Sequence, residues 1–294
     1  MSTQVPALLD GLVDDAAVFP PGSASLPDAV AAHRRHRTSW YADLVGPLLV
    51  PATKLPALAG LLGSDERIDV GVIGDLPIGQ LDKVRAEADP RLRLRQVEAA
   101  VAKRGEDPLP GLAELVALAR RAAEESADRI TDRLDVYAEL PLTFGLMGAL
   151  DALAAARADG VPIAAKFRTG GLAAELFPTP AELAAVICAC RDRQLPFKLT
   201  AGLHQAVRHL DPETGFTHHG FGNVLAATLA AADGAATSTV AELLTAADPR
   251  PLVQWAEPRL DTARRLWVGF GSCSILEPLT DLIRLGLVNG GNAA

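Results

Sequence analysis

Eight times along this chain a short apolar run is followed by a stretch with helical spacing, and that order constrains the fold more than any other feature. The pairs are 11–19 with 26–37, 44–50 with 54–62, 68–73 with 78–88, and 92–99 with 111–128. They continue as 134–140 with 146–158, 161–168 with 180–193, 196–203 with 222–232, and 266–272 with 276–287. Strict alternation implies a parallel sheet, because parallel neighbours need a long crossover between them. Eight units in 294 residues fit a closed (β/α)8 TIM barrel better than an open sheet. An open doubly wound sheet should carry a glycine-rich nucleotide turn after its first strand. That place holds DDAAVFPPGS instead. No composition shift divides the chain, so residues 1–294 read as one α/β barrel domain. A long excursion, 204–265, separates strands seven and eight. Its extra helical pair, 240–247 and 251–255, is expected to cap one barrel end.

Composition narrows the class of partner. The hydrophobic share is 49% and the formal charge is −8, spread along the chain, whereas a nucleic-acid surface needs a clustered basic face. The densest basic run, His33 to Arg37, reads as a helix end, where cations favour the peptide dipole. The first residues show no basic-then-apolar leader, and no uninterrupted apolar run reaches about 18 residues, the length of a membrane span. The expectation is a cytoplasmic protein with no nucleic-acid or membrane partner. A homo-oligomer is compatible with the composition. Cys188, Cys190 and Cys273 are too few and too poorly spaced for a disulfide framework or a zinc site. Cys273 is offset by one residue from the face expected to point inward on strand eight.

Lysine is scarce: the chain has 23 arginines and five lysines, and two of the five lie inside apolar strand runs. Burying an ammonium is costly unless a partner or a chemical task compensates. Alternation along 163–168 puts Lys166 and Arg168 on one face and Ile163, Ala165 and Phe167 on the other. By the same rule Lys198 and Thr200 share a face, as do Gln96 with Glu98, Tyr137 with Glu139, and Val268 with Phe270 and Ser272. Of Asp14 and Asp15, one must point each way. Barrel active sites lie at the carboxyl ends of the strands. The expected mouth therefore holds Glu98, Glu139, Lys166, Arg168, Lys198, His204 and Ser272. A lysine crowded by a second cation and apolar walls loses affinity for its proton, and its neutral amine can attack a carbonyl to form an imine. Lys166 and Lys198 supply amine and cation, and a carboxylate such as Glu139, or Tyr137 through its hydroxyl, could move the proton, with Glu98 as the other carboxylate at the mouth.

The segments Lys166-Phe167-Arg168-Thr169-Gly170-Gly171 and Lys198-Leu199-Thr200-Ala201-Gly202 resemble the class I aldolases of the barrel fold, and most nearly deoxyribose-phosphate aldolase. The resemblance implies that Lys166 forms the imine and Lys198 perturbs it. The chain is also similar to an uncharacterised bacterial barrel family with an Asp-Asp start and a Phe-Pro-Pro turn, which implies the fold and no activity. Glycine-rich backbone at Gly202 and at Gly271, with Thr169, Thr200, Ser272, His204 and Arg168, is the expected binding surface for a phosphate or carboxylate on a small-molecule substrate. No cofactor and no metal are expected. The alternatives are a metal-dependent lyase or hydrolase using His204, His209, His218 and His219, and a non-catalytic barrel that binds a small anion.

Overall fold

The computed structural model describes residues 5–125 and 133–290. The barrel strands are β1 (Val13–Asp15), β2 (Val45–Pro51), β3 (Ile68–Ile73), β4 (Leu92–Ala100), β5 (Asp135–Glu139), β6 (Ile163–Arg168), β7 (Phe197–Thr200) and β10 (Trp267–Ser272). They close into a barrel in the order β1-β10-β7-β6-β5-β4-β3-β2, the (β/α)8 topology expected from the alternation. Strands β8 (His209–Leu210) and β9 (Thr217–His218) form a separate antiparallel hairpin. The helices are α1 (Leu26–Arg37), α2 (Leu55–Ala59), α3 (Ile78–Ala86), α4 (Leu109–Glu125), α5 (Leu146–Ala158), α6 (Pro180–Asp192), α7 (Phe221–Ala232), α8 (Thr237–Thr245), α9 (Arg250–Ala256) and α10 (Leu276–Arg284). Residues 126–128 of the expected fourth helix lie outside the described residues. Among the described residues no helix is long and apolar enough to cross a membrane.

Several expected elements are shorter than the pattern suggested, the first strand and the second helix among them. The first strand stops at Asp15 instead of running to residue 19, because the chain turns, with the Phe19 amide donating to the Ala16 carbonyl at 2.9 Å. Pro20 and Pro21 follow, and neither has an amide to offer a sheet. The expected helix 54–62 shrinks to a 3-10 turn, Ala52–Lys54, and the five residues of α2.

The chain separates into two compact units: Met1–Asp15, Arg34–Gly46 and Arg168–Ala294 form one, and Ala16–His33 with Pro47–Phe167 form the other. In the second unit α4 lays Leu112, Leu115, Leu118, Ala119 and Ala122 along one buried stripe, the spacing of an amphipathic helix. Strand β4 carries a bulge at Arg95, where its register to β3 jumps from Leu94 to Gln96.

In the first unit, α7 is buried at nearly every position from Phe221 to Ala231. A helix apolar on all sides needs cover on all sides. Phe221 stacks on Phe270 of β10 with ring centroids 5.6 Å apart, and α6, α8 and α9 pack against α7. The extra helical pair thus covers α7 and α6 instead of capping the barrel. Its apolar spacing was legible from sequence, but the surface it covers was not.

Helix α6 starts with a capping box. Thr179 Oγ1 accepts from the Glu182 amide at 3.2 Å, and the Thr179 amide donates to Glu182 Oε2 at 2.7 Å. Thr179→Ala is expected to cost about 1 kcal/mol of stability, measured as a lower urea midpoint at unchanged slope.

A bulge also interrupts β10. Its register to β7 runs from Trp267 opposite Phe197 directly to Gly269 opposite Lys198, leaving Val268 as the extra residue. Arg264 holds this bulge in place. Its guanidinium donates to the carbonyls of Trp267 at 3.2 Å, Val268 at 3.0 Å and Asp10 at 2.8 Å, and also to that of Leu8. Burial pushes the Arg264 pKa down to about 10. The cation still satisfies four carbonyls that the irregular strand and the N-terminal turn leave open.

Candidate functional site

Lys166 sits on β6 directly opposite Glu139 of β5, and Glu139 in turn lies opposite Ala100 of β4. Glu98, two residues before Ala100, is therefore on the same face. The parity read from sequence for Glu98, Glu139 and Lys166 is the parity observed. Lys166 Nζ is 2.7 Å from Glu98 Oε2 and 2.8 Å from Glu139 Oε2. Glu98 is further fixed by Gln96, whose Nε2 donates to Glu98 Oε1 at 3.0 Å. The side chains of Lys166 and Glu98 are 5% and 1% exposed, whereas Glu139 keeps 18% of its surface open. One carboxylate is sealed and the other has a route to solvent.

The electrostatics differ from the expectation of a neutral amine. Burial works against the Lys166 ammonium, but Glu98 and Glu139, each in direct contact with it, outweigh that cost and hold its pKa above the ordinary lysine value. The groups that set the charge of Lys166 are carboxylates, so in the resting protein it is an ammonium.

Lys198 is buried on β7 and pairs with Asp14 of β1, although β10 lies between those two strands. The register explains the reach. Lys198 stands opposite Gly269 of β10, and Asp14 stands opposite Gly271. The intervening strand has no side chain at either level, so the ammonium crosses it to the carboxylate. A glycine is also needed beside Asp14, because a Cβ on Gly46 would overlap its carboxylate.

The bulge at Val268 corrects the expected face of strand eight. Gly269 and Gly271 lie on the face of Lys198 and Asp14, while Phe270 pairs with Val13 and stacks on Trp267 and Phe221. Ser272, opposite Asp15, follows Phe270. Simple alternation had put Val268, Phe270 and Ser272 inward, and one extra residue reverses that assignment for the last two. Ser272 Oγ donates to the Ser274 carbonyl at 2.7 Å and closes a local turn.

The other expected substrate contacts are partly committed to the protein itself. The Thr169 amide donates to the Thr200 carbonyl at 2.9 Å, and Thr169 Oγ1 donates to the Ala201 carbonyl at 2.7 Å. Ala201 and Gly202 both take left-handed conformations, φ 65° and 78°. That is strained for alanine and natural for glycine. Arg168 is exposed at the last position of β6.

The histidines after β7 divide among different tasks. His218 Nδ1 is 3.2 Å from the Gly202 carbonyl, and its ring stacks on His209 at 5.3 Å. His219 is buried with Nε2 2.8 Å from the Pro178 carbonyl, and burial pushes its pKa down to about 4. The adjacent pair diverges, as neighbours on an extended segment do. Among the described residues no group of three or more His, Cys, Asp or Glu is placed to hold a metal ion, so the metal alternative has no ligand set there. His204, by contrast, meets a residue that sequence spacing did not tie to it. Its Nδ1 is 3.8 Å from Cys273 Sγ and 3.2 Å from Glu277 Oε2.

Comparison with protein-family models, with curated proteins and with solved structures finds no match for this chain.

Proposed function

We propose that this barrel is an enzyme acting on a small carbonyl compound through an imine on Lys166. The observation that carries the reading is an ammonium enclosed by two carboxylates from two neighbouring strands, with one carboxylate sealed and the other partly open. To become a nucleophile the ammonium must give up a proton. Glu139, 2.8 Å away and the more exposed of the two, is the acceptor. The amine nitrogen then bonds to the carbonyl carbon, and the carbonyl oxygen takes the proton from Glu139. Loss of water leaves a protonated imine.

The charge pattern suits that sequence. A cation stands between Glu98 and Glu139 before the reaction, and the iminium restores one in the same place. The carboxylates are thus already oriented for the charge that develops. The iminium then accepts the electron pair of a breaking C–C bond, and hydrolysis returns the amine. Because Lys166 is flanked by the carboxylates of Glu98 and Glu139, the carbonyl end of the substrate should be uncharged. Any phosphate or carboxylate of the substrate belongs away from these carboxylates. The resemblance of Lys166 to Gly171 to the class I aldolases points the same way.

Borohydride trapping tests the proposal. The protein is incubated with aldehydes, keto acids and sugar phosphates, reduced, and read by intact mass and peptide mapping. The expected result is one adduct on Lys166, absent in Lys166→Arg. No adduct, or one only at another lysine, would overturn the reading and leave the cluster as an ion-pair layer of the barrel.

A further inference from the structure

We infer that Cys273, activated by His204, is a nucleophilic thiol that adds to small α,β-unsaturated carbonyl compounds. The inference is independent of the imine reading, and its test reads a different residue. Cys273 follows β10 directly, and the same bulge that turns Ser272 with Phe270 places position 273 on the alternate face. His204 lies in the turn after β7, and β10 pairs with β7 up to Gly271 opposite Thr200. The barrel register therefore joins two residues that are 69 positions apart in sequence.

The geometry is that of a thiol and its base. The S···N separation of 3.8 Å suits a sulfur hydrogen bond, and both residues are part-exposed, so a small reagent can enter. Glu277, in the first turn of α10, contacts the same imidazole nitrogen and favours its charged form. The contact with Cys273 also raises the affinity of His204 for a proton, as does Glu277, and together they exceed the opposing effect of burial. Cys188 and Cys190 are buried, and burial pushes the Cys190 thiol up to about 12. The chain thus carries two inert thiols as internal controls.

In the proposed step the thiol proton passes to His204. The thiolate forms the S–C bond at the β-carbon, and the displaced π electrons move toward the carbonyl. The α-carbon then takes the proton back from the imidazolium. No oxidant or further reactant is needed.

The test uses the full chain with acrylamide at neutral pH, followed by peptide mapping over time. An ordinary thiol is only a few per cent ionised at pH 7. A base in hydrogen-bond contact with the sulfur takes the proton as the S–C bond forms, a contribution that glutathione lacks. Cys273 is therefore expected to react about tenfold faster than glutathione under the same conditions, with Cys188 and Cys190 unmodified. His204→Asn is expected to bring the rate down to that of glutathione. The proposal is overturned if wild-type Cys273 reacts no faster than glutathione, a measurement that needs no variant. It is equally overturned if a folded His204→Asn protein reacts as fast as wild type.

Discussion

Replacing Lys166 by Met is expected to destabilise the fold by about 3–5 kcal/mol, since it removes the ammonium in contact with both Glu98 and Glu139 and exposes the two carboxylates to each other's charge. Urea denaturation at neutral pH is the measurement. The loss comes from stranded charge more than from lost packing, so neutralising the partners should restore much of it. Lys166→Met combined with Glu98→Gln and Glu139→Gln is expected to recover more than half of the stability lost by Lys166→Met alone. Equal instability of the single and triple variants would mean that packing, not charge, explains the cost. The pH dependence has a definite sign. The folded-state pKa of Lys166 is raised, so its stabilising contribution is complete below the ordinary lysine value of 10.5 and declines as pH rises through the folded pKa. The gap between wild type and Lys166→Met should accordingly be flat at neutral pH and narrow only in strong alkali.

Gly46→Ala is expected to cost about 3 kcal/mol or more, a large effect for one methyl group. The new Cβ would land on the carboxylate of Asp14, which cannot move aside without leaving Lys198. Ordinary overpacking costs about 1–3 kcal/mol, and a broken buried pair adds to it. A double-mutant cycle separates the two causes. In an Asp14→Ala background the methyl group has room and the pair is already gone, so Gly46→Ala should then cost well under about 1 kcal/mol. Equal costs in the two backgrounds would show that the glycine serves the backbone and not the carboxylate.

The barrel was legible because its signal repeats. Alternation of strand and helix needs only approximate boundaries, and an error of a few residues at β1 or α2 leaves the topology unchanged. The Glu98, Glu139 and Lys166 cluster was legible for a related reason. Between Gln96 and Lys166 the three strands are regular, so counting by twos gives the correct face. The charge state of Lys166 was not legible, since a rule for faces does not say which groups come within 3 Å. The partnership of Lys198 with Asp14 was hidden by the extra residue at Val268. With the bulge unrecognised, Phe270 was assigned to the face that in fact carries two glycines, and the reach across β10 went unseen. The available signal was Gly269-Phe270-Gly271 itself, which suits a strand that lets a neighbour's side chain pass over it. The meeting of Cys273 and His204 had no local signal, because it depends on strand pairing and on the same irregularity.

That irregularity makes the end of β10 a two-position selector. One inserted residue shifts the phase of everything after it, so the chain presents a sulfur on the side where plain alternation would present a hydroxyl. Deleting Val268 would remove only the unpaired residue and leave Gly269 opposite Lys198, so the phase beyond it would hold; turning Ser272 to the side of Cys273 requires Val268 itself to take up the pairing with Lys198. The chemistry available at this strand end is set by the register of the strand as much as by its residues, and register can change without altering a single reactive side chain.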